Sequence, residues 1–457
     1  MSKHRPTFGT PSRRAVLQQS AAGFGWLALA ALGAQQARAE QGKYRSPLAP
    51  KEPDYAARAK RVIFMFMAGG PSHLESFDWK PELARVGKGG HHQLLGPVVG
   101  FKPAGKSGLM ISEVFPHLAE HADRLCILNG MKTNNAAHQQ ASVALHTGNE
   151  QFVRPSLGAW VTYGLGTVAE DLPGFITLNP INDNGGAQNY GSAFLPAMFQ
   201  GTRMSGGQGA VPNLANRRLS DAEQRRQIEF IQQANRRMLN ELPGQPELEG
   251  LIESYELAYK MQTSVPATLD LSGETDATRE LYGVDDSETS SFGTQCLMAR
   301  RLAEKGVRFI QLTSPGWDHH NNLREHFTRG ATSIDKPIAG LITDLHQRGM
   351  LDETLLVWGG EFGRSSHDDK GDSNGRGHAN RGYSMWFAGG GVRGGQRYGA
   401  TDELGQNAVD GVMDTHDLHA TTLHLLGLDH EGLTFRYAGR DFRLTDTKGK
   451  VHKGVMS

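Results

Sequence analysis

Cysteine is almost missing from this chain: two residues in 457, Cys126 and Cys296. Neither has a partner at short spacing, which argues against a two-cysteine metal site. Both sit in apolar contexts, LCIL and QCLMA, and read as buried thiols, with a disulfide as the alternative. An excess of either charge is missing too. Lys+Arg and Asp+Glu are both 48, so the chain lacks the basic footprint of a nucleic-acid binder. No G-x-S-x-G elbow and no G-x-x-x-x-G-K-[ST] phosphate loop occurs. The Gly-rich run Gly389–Gly395 opens no helix and reads as a loop. After the N-terminal region no apolar run is long enough to span a membrane.

Glycine and histidine are plentiful, with 57 and 19 residues. The glycines predict many tight loops. Histidine is the commonest protein metal ligand. At the N-terminus, Ser12-Arg13-Arg14-Ala15-Val16-Leu17 is a twin-arginine pattern. The apolar stretch Ala21 to Ala34 and the small-residue site Ala37-Arg38-Ala39 follow it. Residues 1–39 are therefore expected to be a cleaved signal peptide, which places the mature chain in the periplasm or outside the cell. Residues 40–60 are polar and read as a linker.

From residue 61 onward a unit repeats: apolar run, polar loop, helix. Runs at Arg61–Ala68, Leu125–Leu128, Gly174–Leu178, Val307–Thr313, Thr354–Trp358 and Ser384–Ala388 read as strands. They lack alternation, as strands covered on both faces do. The expected fold is a single α/β domain over 61–457, a doubly wound, mostly parallel sheet with helices on both faces. Charged helical segments around 214–264 read as an insertion.

The polar loops at the strand ends carry the chemistry. His73, Glu75 and Asp78 follow the first run, and Asp318, His319 and His320 follow Val307–Thr313. Glu361 and Arg364 follow Thr354–Trp358, and His378 comes after the next loop. Open α/β sheets place ligands outside the carboxyl ends of their strands. Converging Asp and His residues build sites for divalent cations that activate water or clamp a phosphoryl or sulfuryl oxygen.

Longer stretches carry a resemblance. GGPSHLESFDWKP (69–81), GWDHHNN (316–322), GGEFGRS (359–365), GRGH (375–378) and DLHATTLHLLGLDH (417–430) resemble the domain-of-unknown-function 1501 family of exported bacterial proteins. That family looks like a branch of the alkaline phosphatase and sulfatase superfamily, which implies an alkaline-phosphatase-like sheet with a metal site at its strand ends. Some superfamily positions are changed. Gly69-Gly70 stand where two metal-binding acids are expected, and Ser72, His73 or Asp78 are the substitutes at hand. His138 falls at the nucleophile position, counted back from Thr147-Gly148. Glu361 and Phe362 stand at a metal-binding Asp and His. The implied metal set is Asp318, His320, Glu361 and His378, with His73 and Asp78 as further candidates. The metal is divalent, with Zn, Ca, Mg and Mn not distinguished. His138 and Arg364 are the expected catalytic groups, and Arg364 and Arg376 the expected anion contacts. The implied function is hydrolysis of a phosphate or sulfate ester on a small molecule or polysaccharide. The alternative is a non-catalytic exported binding or assembly protein on a degenerate hydrolase fold.

Overall fold

The run RVIFMFM forms β1 (Arg61–Met67), and its residues divide strictly between two cores. Ile63, Met65 and Met67 join one apolar cluster, and Val62, Phe64 and Phe66 the other. Strand side chains alternate between faces, so an apolar run without alternation must be covered on both sides. The computed structural model describes residues 46–89, 93–205, 218–241, 246–370 and 374–457. The expected signal peptide, 1–39, lies outside the described residues, as does the start of the expected linker, 40–45. Pro47–Ser457 forms one compact unit.

After β1 come a hairpin, β2 (Phe101–Ala104) and β3 (Leu109–Ser112), and then β4 (Leu125–Met131), β5 (Phe175–Leu178), β6 (Thr202–Met204), β7 (Phe309–Ser314) and β8 (Thr354–Gly359). Next are β9 (Gly363–Asp368), β10 (Arg376–Ala379), β11 (Tyr383–Ala388) and β12 (Gln396–Tyr398). Eight of these make the main sheet, in the order β12-β4-β11-β8-β1-β7-β5-β6. The pairs β8–β1, β1–β7, β7–β5 and β5–β6 are parallel. β11 runs antiparallel to both β4 and β8. The sheet is thus mostly parallel and covered on both faces, as the sequence leads one to expect. Strands β9 and β10 pair with each other outside it. The sequence shows that region only as a polar loop, because its residues are hydrophilic and short-range.

The helices are α1 (Pro81–Val86), α2 (Pro116–Ala119), α3 (His138–Thr147), α4 (Leu157–Leu165), α5 (Asp221–Glu241), α6 (Pro246–Leu269), α7 (Asp276–Tyr282), α8 (Ser290–Glu304), α9 (Leu323–Gln347) and α10 (Thr415–Leu425). Helices α8 and α9 cover one face of the sheet, with Leu297, Leu302, Ile334, Ile338 and Leu341 fully buried. Helices α3, α4 and α10 cover the other through Leu145, Trp160, Leu423 and Leu425. The expected insertion is the pair α5 and α6, and Met261 and Val265 of α6 join the α8–α9 core. Residues 47–60 lie along the body, where Lys51, Tyr55 and Arg58 donate backbone hydrogen bonds to Leu165, Gly427 and Leu425. Both cysteines are buried and unpaired. Among the described residues no helix is long and apolar enough to cross a membrane.

Two histidines are sealed beneath the α3–α10 face. The His146 ring meets Phe66 edge-on at 4.6 Å and donates from Nδ1 to the Ser142 carbonyl. His419 donates from Nε2 to the Leu145 carbonyl. Burial disfavours their charged forms and lowers the two pKa values to about 4 and about 3. Their native values lie below the unfolded value, so the unfolded chain binds more protons. The stability they confer is complete above pH 6.5 and is lost as pH falls from there toward the native values. Urea unfolding at pH 5 should show a loss of roughly 2 kcal/mol per histidine relative to pH 7. A His146→Gln/His419→Gln protein should show that much less pH dependence.

Candidate metal centre

The sheet's parallel strands end together, and the site is built on those ends. Gly69 and Gly70 follow β1, Asp318 and His320 follow β7, and Glu361 follows β8. His138 is the first residue of α3, directly after the β4 loop. Arg364 lies on β9 and His378 on β10, and the two residues are cross-strand partners.

Three imidazoles converge on one oxygen. From Asp318 Oδ1, His138 Nε2 lies at 3.2 Å, His320 Nε2 at 2.9 Å and His378 Nε2 at 3.3 Å. The opposite nitrogen of each ring is anchored elsewhere. Nδ1 of His138 is 2.6 Å from Glu361 Oε1, Nδ1 of His320 is 2.8 Å from Asp369 Oδ2, and Nδ1 of His378 is 2.6 Å from the Ala136 carbonyl. A carbonyl only accepts, and so does an ionised carboxylate. Each Nδ1 therefore carries a proton, and each Nε2 is turned toward the same oxygen. His320 and His378 face each other Nε2 to Nε2 at 3.0 Å. Two lone pairs at that distance repel unless a proton or a cation lies between them. His138 Nε2 is sealed from solvent without a hydrogen bond of acceptable geometry. Ligand atoms of His138, Asp318 and His378 all fall within 4.8 Å of one another. Nitrogen donors oriented by carboxylates and carbonyls, with one carboxylate among them, suit a divalent transition metal.

The charges fit this arrangement. Burial opposes ionisation of Asp318, yet the neighbouring His138, His378 and Arg364 hold it well below the usual carboxylate range. Burial also opposes protonation of His138, but Asp318 and Glu361 overcome it and raise the pKa to about 9. Arg364 is fully buried. Its Nη2 donates to Asp318 Oδ1 at 2.6 Å and to the Gly69 carbonyl, and its Nε donates to the Gly70 carbonyl at 2.9 Å. Glu361 is also buried, and both its oxygens accept from the Gly69 amide, at 3.0 and 3.2 Å. Phe362 is wedged against the rings of His138 and His378, with centroids 4.8 and 4.7 Å away. A side chain that cannot ligate here spaces two that can.

The expected residues divide into two groups. His138, Asp318, His320, Glu361 and His378 come together, although Glu361 faces His138 Nδ1 and the Gly69 amide instead of the shared point. His73, expected as a ligand, is buried, with Nε2 2.8 Å from the Gly405 carbonyl. Asp78, also expected as a ligand, accepts from Thr401 and pairs with Lys80 at 3.0 Å. Arg376, expected to bind an anion, is fully buried and holds Glu75 through Nε and Nη2, with Nη2 2.7 Å from Oε1. Arg364 as an anion contact is corrected likewise: its donors face four backbone carbonyls and Asp318. His138, expected as the attacking group, sets Nδ1 against Glu361 Oε1 and turns Nε2 toward Asp318 Oδ1. Sequence reasoning missed Asp369 and the Ala136 carbonyl. Neither has a local pattern that marks it, since each acts on a histidine far away in the chain.

A family model described as "Protein of unknown function (DUF1501)" matches residues 59–456. The chain belongs to the DUF1501 family. No curated protein matches it. Among solved structures, the lipoteichoic acid synthase LtaP from Listeria monocytogenes is 10% identical, with a TM-score of 0.38 over 87% of this chain and 78% of that one. The alkaline phosphatase from the Antarctic bacterium TAB5 is 10% identical, with a TM-score of 0.34 over 82% and 99%. The PsFucS1 sulfatase from Pseudoalteromonas sp. is 14% identical, with a TM-score of 0.34 over 82% and 69%. Likenesses this distant carry no argument about chemistry, and for this DUF1501 member the site has to speak through its own geometry.

Gly69 tests that geometry. Its φ is +116°, and an added Cβ would meet the Asp318 amide at 2.7 Å. Gly69→Ala should lower stability by about 1–3 kcal/mol through backbone strain and displace the Asp318 loop. Gly273→Ala, where the methyl meets nothing within 4 Å, should leave the melting temperature unchanged.

Proposed function

We propose that this DUF1501 protein is a metal-dependent hydrolase of phosphate or sulfate esters, acting after export from the cytoplasm. The convergence of three Nε2 atoms on Asp318 Oδ1, each ring fixed at Nδ1, is the observation that carries this reading. His138, His320, His378 and Asp318 would hold the ion. When bound, a divalent ion there supplies Lewis acidity and a water of lowered pKa.

The chain's own groups prepare the site. Arg364 holds the Asp318 carboxylate in place and balances its charge. Glu361 fixes the His138 tautomer and clamps the turn after β1. Asp369 accepts from His320 Nδ1 and fixes the orientation of that ring. Phe362 keeps the imidazoles apart and excludes water from their rear. The Asp318 side chain is 45% exposed, and those of His320 and His378 are 29% and 23% exposed. An ester can therefore reach the convergence point from solvent while Arg364 and Glu361 behind it stay buried. The resemblance of the family to the alkaline phosphatase and sulfatase superfamily supports phosphate and sulfate as the ester classes. The twin-arginine pattern at Ser12–Leu17 supports export of the folded, loaded protein.

Elemental analysis should find about one divalent ion per chain in protein purified without chelator or metal-affinity resin. Failure to take up any ion on titration would overturn the proposal. His378→Ala and His320→Ala should each abolish retention of the ion and, with it, hydrolysis of aryl phosphates or sulfates. Asp369→Ala should weaken metal affinity roughly 10–100-fold while leaving the fold intact, as loss of an orienting carboxylate does. Equilibrium dialysis against a chelator series checks this.

A further inference from the structure

The charges around the convergence point bear on which anion it can take. Three carboxylates belong to it. Asp318 Oδ1 faces the three Nε2 atoms, Glu361 Oε1 holds His138 Nδ1 at 2.6 Å, and Asp369 Oδ2 holds His320 Nδ1 at 2.8 Å. Among the described residues, Arg364 is the one arginine or lysine that pairs with any of these carboxylates, 2.6 Å from Asp318 Oδ1. An imidazole that ligates a metal is neutral. Three carboxylates and one guanidinium leave two negative charges, which a divalent ion cancels. The loaded site is thus close to neutral before an ester arrives.

The two buried guanidiniums nearby are committed to the protein itself. Arg364 directs its donors at the carbonyls of Gly69, Gly70, Trp317 and Arg376 and at Asp318. Arg376 directs its own at Glu75 and at the carbonyls of Ser365 and Gly96. Both side chains are sealed from water. Lys132, Lys370 and Arg381 stand close to the cluster in sequence, but they are exposed, where water and salt screen a charge. The bound ion is therefore the main attraction for an ester's oxygens. The negative charge of Asp369 is also separable from its orienting task. The Ala136 carbonyl orients His378 through Nδ1 without bringing a charge.

We propose that the cluster takes esters with a single negative charge, a sulfate monoester or a phosphodiester, and discriminates against the dianion of a phosphate monoester. This selection rests on the hydrolase reading above and narrows it. A phosphate monoester has a second pKa near 6 and carries close to two charges above neutral pH. In a neutral, partly buried site both would stand uncompensated beside the Asp318 carboxylate. A sulfate monoester or a phosphodiester leaves one. Uncompensated charge removed from water is costly, and the cost rises with its amount. A site for a dianion needs a free guanidinium or ammonium to face the second charge, and here the buried guanidiniums face inward.

Three unreactive anions of similar shape test this: benzenesulfonate, methylphenylphosphinate and phenylphosphonate. None has an ester bond. At about pH 8.5 the first two carry one charge and the third carries two. They are titrated calorimetrically into the Zn²⁺-saturated protein at about 0.15 M salt, which screens the exposed lysines. At least one monoanion should bind about tenfold more tightly than phenylphosphonate. Preference for benzenesulfonate assigns the site to sulfate monoesters, and preference for methylphenylphosphinate assigns it to phosphodiesters. Asp369→Asn keeps an acceptor for His320 Nδ1 and removes a charge. With its ion saturating, that protein should shift the affinity ratio about tenfold toward phenylphosphonate, whereas lost orientation alone would weaken all three probes alike. Phenylphosphonate binding as tightly as the better monoanion would overturn the proposal. So would an unchanged ratio in Asp369→Asn protein, or no binding of any probe. Binding by His378→Ala protein would overturn it too, since the probes would then sit elsewhere. Ion uptake with a preference for phenylphosphonate would sink the charge selection alone. Failure to take up any ion would sink the hydrolase reading and the selection with it.

Discussion

A guanidinium sealed from water is the constraint on which the rest of the site depends. Arg364 has no exposed surface, and an unpaired buried charge costs several kcal/mol. Its donors must all find acceptors, and they find them on three separate segments. They reach Gly69 and Gly70 after β1, Trp317 and Asp318 after β7, and Arg376 on β10. Burial lowers its pKa and the Asp318 carboxylate counters that effect. The strand ends are thus pinned to one planar fork, and Asp318 Oδ1 is pinned with them. A lysine has no planar fork with which to span these acceptors.

A second dry pair lies close by. Arg376 and Glu75 are both fully buried, and Ser72 donates to the same carboxylate. Arg376 reaches on to the carbonyls of Gly96 and Ser365. Buried pairs of this kind are weak sources of stability but break at high cost when one partner is removed. They favour one arrangement of the loops over its neighbours. A site that must hold three imidazoles within a few tenths of an ångström of a productive geometry needs that selectivity.

Much of the fold is legible in the amino-acid sequence, and the reason is physical. β1 and β8 are apolar on both faces, and a run such as LLVW closed by Gly359-Gly360 has few other places to go. Helix α9 shows its buried stripe through Ile334, Ile338, Leu341 and Leu345. β9 and β10 carry no such signal, since their partners are each other and their side chains are polar. The site is legible in its residue types and not in its pairings. Asp318, His320 and His378 stand out as histidines and acids at strand ends. Nothing local distinguishes Arg364, which supports Asp318, from Arg376, which supports Glu75. Both are arginines in polar loops, and only the three-dimensional register separates their tasks. Phe362 shows the same limit from the other side: it looks like a lost ligand, yet its ring lies between the imidazoles of His138 and His378.

The central position of β1 bears on the order in which the molecule comes into being. β1 is the first strand of the described chain, but its sheet neighbours are β7 and β8, and Val62 pairs with Phe309 and with Leu355. During synthesis the first strand therefore waits, apolar on both faces, until most of the polypeptide exists. Pairings so distant in sequence are slow to form. The cluster waits longer still, because His378 belongs to a hairpin made after β8. No truncated or half-folded intermediate can bring His138, Asp318 and His378 together, so their convergence would report that the whole sheet has closed.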